Sequence, residues 1–295
     1  KRLILTMKYL HHFTINMITI SPTHEKIIRG LARYKYLTTD QIKKLINVKH
    51  KQQVYENLRS LRDKGLIDSI IYGAVNRVGT TTKLNFLTYK GAKVVGDLAD
   101  VEVIRYPKST TTMFKNDFYH RIHTIDLLIG FDDWMNTTAN TPTIFDIYYD
   151  SIGSQKSKVL KSTSKTKIEI SDLVSITPDV ILAYEDLEGK PKIFVLEITN
   201  GRDTGRTTRQ IKNNLVAMYK GKVSQKYGIE KTPLLLVAFE HEAHKEGVKK
   251  AINEGGFTTT FQGLEKFLFF TMQVNASNNW KDSWESIDGK PAVIF

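Results

Sequence analysis

Two strand-like runs joined by a short polar turn constrain the fold of this chain more than any other feature. The first run follows Pro178-Asp179, and the second spans residues 192–201 and contains Glu197. Both runs are rich in β-branched and aromatic residues, and the polar segment between them contains glycine and proline, which is typical of a β-hairpin. Because Asp179 enters the first strand and Glu197 leaves the second, we expect the hairpin to bring the two acids together.

Two carboxylates at one place are what a hard divalent cation such as Mg²⁺ requires. The hairpin therefore resembles the metal site of the PD-(D/E)xK nuclease superfamily. The lysine of that motif is expected two residues after the glutamate, where this chain has Thr199. The alternative interpretation is a surface hairpin that carries two solvated acids.

The positive charge of the chain is concentrated in its first third. The formal net charge of the chain is +12. Residues 1–105 contain 19 lysines and arginines against 8 acids, whereas residues 106–295 contain 24 lysines and arginines against 23 acids. Such a separation indicates that the first third binds a polyanion, and we expect double-stranded DNA. The absence of cysteine excludes disulfides, cysteine-bound zinc and thiol catalysis, and it favours a reducing, cytoplasmic location.

Length and composition predict two domains without a membrane segment. A chain of 295 residues is long for one compact domain. Residues 105–113 are turn-rich and lack periodicity, so we place the boundary there, with domains at 1–105 and 106–295. No apolar stretch approaches the roughly eighteen residues that span a bilayer, so no membrane partner is expected.

The first domain has the pattern of a winged helix-turn-helix. Ser21 is placed to cap a first helix, Thr38 begins a second, and a third ends at Gly65. Two strand-like runs follow, on either side of residues 73–79, which form the candidate wing. In a winged helix the third helix enters the major groove of DNA. The alternative is a protein-protein module with a solvated basic face.

The outward residues of the third helix and the wing are the predicted DNA contacts. Lysine and arginine bind phosphates or guanine edges, and glutamine and asparagine pair with adenine. The predicted contacts are Lys49, Lys51, Gln52, Gln53, Tyr55, Asn57, Arg59, Arg77 and Lys83.

The second domain has the pattern of an α/β sandwich around a mixed sheet, which makes the chain α+β as a whole. A strongly amphipathic helix is predicted over residues 116–134, and it carries His120 and His123. His120 is either an active-site contributor near the acids or a half-buried helix histidine. After the hairpin, residues 200–209 are predicted as a polar turn and residues 210–219 as a helix. A buried strand, a helix and a last strand follow.

The order of these parts resembles the replication-relaxation family of plasmid and mobile-element proteins. The resemblance covers roughly residues 24 to 220 and rests on the winged helix ending at residues 87–91 and on the helix motif His120-Arg-Ile-His-Thr-Ile-Asp126. It rests further on Pro178-Asp179 and on the segment 194–201. It implies a winged helix joined to a restriction-endonuclease-like domain, acting in plasmid replication, relaxation or transfer, with other replication or transfer proteins as partners.

The resemblance also implies a metal-dependent, relaxase-like DNA endonuclease. In it, Asp179, Glu197 and the carbonyl of Ile198 would hold Mg²⁺ or Mn²⁺, and Lys212 on the following helix would replace the missing lysine. Two alternatives stay open. One is a non-catalytic replication initiator or accessory factor, and the other is a winged-helix transcriptional regulator whose second domain is a nuclease relic. The oligomeric state is also open.

Overall fold

The chain forms two compact units, Lys1–Asn116 and Asp117–Phe295. The computed structural model describes residues 19–72, 82–99, 117–138, 140–152, 163–255, 263–292 and 294. The predicted boundary at residue 105 and the candidate wing at residues 73–79, with Arg77, lie outside the described residues.

The first unit has the element order of a winged helix. In chain order its described elements are α1 (Pro22–Tyr34), β1 (Leu37–Thr38), α2 (Thr39–Ile46), α3 (Lys51–Asp63), β2 (Ile67–Tyr72), β3 (Thr82–Leu87) and α4 (Tyr89–Ala99). The strands form an antiparallel sheet in the order β1-β3-β2. Three helices followed by a hairpin is the order that the sequence predicts.

Local capping fixes the ends of these helices as predicted. Ser21 Oγ accepts a hydrogen bond from the His24 amide at 3.2 Å. Thr38 and Gln41 form a reciprocal capping box at the start of α2, in which each side chain bonds the backbone amide of the other. Gly65 follows α3 with φ of +69°, a left-handed conformation that glycine adopts without strain.

The second unit joins a five-stranded sheet to helices and two small hairpins. In chain order the described elements are α5 (Phe118–Met135), β4 (Thr141–Ile147), β5 (Ser151–Ile152), β6 (Thr163–Ser164), β7 (Ile168–Ser171), β8 (Val174–Ile176), β9 (Val180–Glu185), β10 (Pro191–Thr199), α6 (Thr204–Tyr219), α7 (Lys222–Tyr227), β11 (Leu234–Phe239), α8 (Glu242–Glu254), a 3₁₀ turn (Glu265–Phe267), β12 (Leu268–Met272) and α9 (Gln273–Asn278).

The main sheet is mixed, as the sequence predicts. Its strand order is β12-β11-β10-β9-β4. The strands β10, β11 and β12 are parallel, whereas β9 is antiparallel to both β10 and β4. The two parallel connections pass through α6 and α8, which the geometry of parallel pairing requires.

Helices cover both faces of this sheet. On one face Ala183 of β9 and Ile211 of α6 belong to the same buried core. On the other face the ring of Tyr184 contacts the ring of Trp134 of α5 at a centroid distance of 5.5 Å. Because neighbouring residues of a strand point to opposite faces, the sheet is buried on both sides. No helix in the described residues is long and apolar enough to cross a membrane.

The helix α5 is less amphipathic than predicted. Residues around most of its circumference are buried, including Arg121, Thr124 and Leu127. The reason is that α9 packs against α5 in addition to the sheet, so that α5 has apolar neighbours on more than one side. A Cβ atom built on Gly130 would lie 2.8 Å from the carbonyl oxygen of Ala276, so glycine allows this close approach.

The helix α6 begins earlier than predicted. Residues 204–209, predicted as part of a polar turn, form its first turns. Asp203 caps the helix, and its carboxylate accepts a hydrogen bond from the Arg206 amide at 2.9 Å. The buried side chain of Thr207 fixes this end of the helix to the protein. The prediction was wrong because a polar sequence was interpreted as a turn without its cap.

We expect Gly130→Ala to lower the free energy of unfolding by about 1–3 kcal/mol, because the added methyl group would meet the backbone of α9. Thermal or denaturant unfolding measures the change. Gly205→Ala on α6 is the matched control, since a Cβ atom there has only an ordinary contact of 3.6 Å with Asp203. The control should be neutral or stabilising, and equal destabilisation by both changes would contradict the packing argument.

Candidate functional site

The candidate site is a pair of buried carboxyl groups at one end of the β9–β10 hairpin. The register pairs Val180 with Leu196, so the residues one step further, Asp179 and Glu197, lie opposite each other on one face of the sheet. Each is only 8% exposed. The structure therefore brings together the two acids that the sequence singles out. A surface hairpin with solvated acids is excluded by their burial.

Asp179 is held by one side chain and one backbone amide. Its Oδ1 lies 2.7 Å from His120 Nε2, and its Oδ2 accepts a hydrogen bond from the Ile198 amide at 2.7 Å. These contacts fix the orientation of the carboxylate before any ligand binds. Ile198 is thus part of the site through its N–H group, whereas the sequence resemblance assigns its carbonyl a role as metal ligand.

Glu197 is held by Asn214, a residue that the sequence analysis did not select. Asn214 Nδ2 donates a hydrogen bond to Glu197 Oε1 at 2.6 Å, and the side chain of Asn214 is buried. Burial, followed by the nearby charge of Asp179, raises the pKa of Glu197 well above its ordinary value. This environment therefore favours the protonated form of Glu197 beside Asp179.

His120 supplies the positive partner of the pair. Burial acts to lower its pKa, but the charge of Asp179 and the hydrogen bond to it outweigh burial, so the pKa of His120 is raised. Its ring also contacts the ring of Tyr148 at 5.3 Å between centroids. Of the two interpretations of His120 given by the sequence, the structure places it in the site.

A second layer of polar residues supports His120. Tyr148 donates a hydrogen bond to Asp117 Oδ2 at 2.5 Å, and the same oxygen lies 2.7 Å from Arg121 Nε. The Tyr148 amide also donates to the backbone oxygen of Asp179 at 2.9 Å. Burial and the bond to Asp117 raise the pKa of Tyr148 above its ordinary range, so its phenol stays protonated at neutral pH. It is positioned to orient neighbours rather than to attack a phosphate.

The structure does not bring Lys212 to the carboxyl pair. Asn214 and Lys212 lie two positions apart on α6, and residues with this spacing point to nearly opposite sides of a helix. Asn214 is buried and Lys212 is exposed. In the part of the chain that the structure describes, no hydrogen bond or ion pair joins Lys212 to either acid. The catalytic role assigned to Lys212 stays a prediction without geometric support.

Two buried oxygen atoms near the pair have no hydrogen-bond partner among the described residues. They are the hydroxyl oxygen of Thr199 and the amide oxygen of Asn214. Thr199 follows Glu197 by two residues on β10 and so lies on the same face of the sheet. Buried polar atoms are normally satisfied, so these two oxygens are available to a water molecule, a hydrogen-bond donor or a cation.

The donor set suits a hard cation only in part. Two carboxyl groups and neutral oxygens are ligands that Mg²⁺ and Mn²⁺ prefer. However, both oxygens of Asp179 already have partners, and no group of three or more histidines or acids arranged to hold a metal ion is found in the described residues. A cation would therefore be held by Asp179 and Glu197 with neutral ligands and water completing its shell.

The predicted DNA-binding face lies on α3 in the first unit. Lys49, Lys51, Gln53, Arg59 and, on β3, Lys83 are exposed. Two of the remaining predicted contacts already have local partners. Gln52 Nε2 donates a hydrogen bond to Glu56 at 3.0 Å, and Asn57 Nδ2 donates to the backbone oxygen of Gln53 at 2.7 Å. Lys51 forms an exposed ion pair with Asp40 at 2.7 Å. Tyr55 is exposed and available for contact.

Comparisons with known proteins give weak structural likenesses. The chain is similar to the adhesin competence repressor AdcR of Streptococcus pyogenes at 16% identity over 34% of this chain and 68% of that chain, with a TM-score of 0.25. A MepR mutant from S. aureus is 17% identical over 46% of this chain and 93% of that chain. Bacillus subtilis PadR in complex with operator DNA is 15% identical over 48% of this chain and 85% of that chain. Both of these also have TM-scores of 0.25.

No protein-family model matches the sequence, and a search of the curated proteins finds no match. The structural likenesses have TM-scores too low to support an argument.

We expect the stability of the protein in a chelating buffer to fall as pH rises above the ordinary pKa of a glutamate. The folded pKa of Glu197 is raised, so its stabilising contribution is complete below the ordinary value of 4.5 and is lost as pH rises through the folded value. The pKa of His120 is also raised, from 6.5, so its stabilising contribution is likewise lost as pH rises through its folded pKa. Glu197→Gln should remove the part of the loss that Glu197 causes.

Melting temperatures measured across this pH range test the expectation. Glu169→Gln, at an exposed glutamate of β7, is the matched control and should keep the wild-type profile. An identical pH profile for Glu197→Gln and the wild type would show that the buried carboxyl does not carry the effect.

Proposed function

We propose that this chain is a DNA-binding protein whose second unit carries a divalent-metal-dependent site for phosphodiester cleavage. The observation that carries the proposal is the pair of buried carboxyl groups, Asp179 and Glu197, held opposite each other by the hairpin register. Burying two acids at one locus is costly unless a cation or a shared proton compensates their charge. Titratable groups that burial perturbs in this way cluster at functional sites.

The residues around the pair would prepare it for a cation. Asp179 and Glu197 would hold Mg²⁺ or Mn²⁺, and the bound metal would supply an activated water and stabilise charge on the phosphate. Asn214 orients Glu197 through the 2.6 Å hydrogen bond. His120 Nε2 lies 2.7 Å from Asp179 Oδ1, and the raised pKa of His120 favours the positively charged form of its ring beside the site. The buried hydroxyl of Thr199 occupies the position of the usual lysine.

The first unit would supply affinity for double-stranded DNA. It carries nearly all of the excess positive charge, and its elements follow the order of a winged helix. The exposed basic residues of α3 match the element that enters the major groove in such folds. The sequence resemblance extends the proposal to replication, relaxation or transfer of a plasmid or other mobile element.

A second candidate function is a non-catalytic DNA-binding factor. It is favoured by Thr199 in the place of lysine and by the saturation of both Asp179 oxygens by His120 and Ile198. In that case the carboxyl pair would serve as a structural remnant of a metal site. The two candidates differ in one measurable property, the response to a divalent cation.

We expect Arg59→Ala to weaken duplex DNA binding and to reduce the slope of log affinity against log salt by about 1, because an arginine that binds a phosphate releases roughly one counterion. Fluorescence anisotropy on the full chain at several salt concentrations measures both quantities. Lys93→Ala, at an exposed lysine of α4, is the control with the same change of charge. Equal losses for both variants would indicate a general charge effect and would contradict a specific role of α3.

We expect Mn²⁺ or Mg²⁺ to allow the protein to nick supercoiled plasmid and to raise its melting temperature, because a ligand that binds only the folded state stabilises it. Asp179→Asn and Glu197→Gln keep the size of each side chain and should abolish both effects while leaving duplex affinity nearly unchanged. Conversion of supercoiled to open circular DNA and thermal unfolding with and without the cation are the two measurements.

Glu169→Gln serves again as a control and should retain both the nicking and the thermal response. A wild-type protein that shows neither response, with intact duplex binding, would reject the nuclease proposal and support the non-catalytic factor. A thermal response without nicking would leave a metal-binding site that has lost its chemistry.

A further inference from the structure

The early start of α6 creates a row of exposed basic side chains. Arg206, Arg209 and Lys212 lie at intervals of three residues on one side of the helix, and Arg202 precedes them in the connection from β10. All four are exposed. We call these four residues the α6 basic row.

Negative charge does not compensate this row from within its own helix. The sequence of α6 contains no aspartate or glutamate. The carboxylate of Asp203 caps the helix by accepting from the Arg206 amide, so it is engaged by the backbone. No ion pair to a member of the α6 basic row is found in the described residues. A solvated face would more often interleave its cations with acids.

The row lies on the exposed side of the helix that contacts the carboxyl pair. Asn214 of the same helix is buried and bonds Glu197 at 2.6 Å, and Arg202 follows Glu197 by only five residues. Arg209 and Lys212 point away from Asn214, so the row faces solvent and is open to a phosphate backbone.

We propose that the α6 basic row binds the phosphates of a DNA strand along the exposed side of α6. The row is then a second nucleic-acid contact, distinct from the winged helix of the first unit. The proposal rests on the proposed function for the identity of the substrate. Its contact with DNA needs no metal ion, so the contact is tested separately from cleavage.

The test is DNA binding by the full chain in a chelating buffer, with a short fluorescent duplex and the corresponding single strand as probes. Arg206→Gln with Arg209→Gln is the test variant, because glutamine keeps a high helix propensity. It should reduce the salt slope of binding by about 2, one unit for each lost phosphate contact. The salt slope is also measured with Arg59→Ala added. Weaker DNA binding by the first unit then makes the contribution of the α6 basic row easier to detect.

Two further double variants separate a specific contact from net charge and from misfolding. Lys231→Gln with Lys281→Gln removes the same charge from exposed positions elsewhere in the second unit and should keep the wild-type slope. Arg206→Lys with Arg209→Lys keeps the charge and should retain most of the slope. A larger effect on the duplex or on the single strand identifies which form of DNA the row holds.

An unchanged slope in the test variant, or an equal loss in the Lys231/Lys281 control, would overturn the proposal. Failure of the proposed cleavage is distinguishable from this result. If Asp179→Asn has no effect on nicking but the test variant still lowers the salt slope, the α6 basic row binds DNA and only the metal chemistry fails.

Discussion

The register of the β9–β10 hairpin is the constraint on which the rest of the second unit depends. One pairing places Asp179 opposite Glu197 and the apolar residues of both strands in the core, and a slip by one residue would move every side chain to the other face. Two carboxyl groups buried together repel each other, so their surroundings must compensate. The Ile198 amide, His120 and Asn214 provide this compensation, and they fix the positions of α5 and α6 relative to the sheet.

Much of this fold follows from patterns along the chain. Capping residues such as Ser21 and Thr38 begin helices where the sequence predicts, and the mixed sheet follows from the hairpin and two helical crossovers. The meeting of the two acids is also predictable, because a hairpin is a local structure. The polar segment after residue 200 was not interpreted correctly, because its glycine and threonines are typical of turns and the cap at Asp203 decides the outcome.

The partners of the acids were harder to predict than the acids themselves. Residue type favours Lys212 as a partner of the acids, whereas the position of Asn214 around the helix α6 points its side chain towards Glu197. The contacts of Tyr148 with Asp117 and of His120 with Asp179 span 31 and 59 residues. Such contacts depend on how α5 packs against the sheet, which periodicity does not specify. Only the presence of several polar residues in an otherwise apolar helix signals them.

In the part of the chain that the structure describes, no lysine forms a hydrogen bond or ion pair with either acid, and this changes how such a site would work. A lysine would offset part of the negative charge of Asp179 and Glu197 permanently, whereas Thr199 offers only a neutral hydroxyl. His120 is then the charged partner among the contacts of Asp179, and burial already opposes its charge. Burial and the charge of Asp179 raise the pKa of Glu197, so they favour its protonated form over its ionised form. A cation held by both acids would favour the ionised form instead, so its binding would be linked to loss of the Glu197 proton.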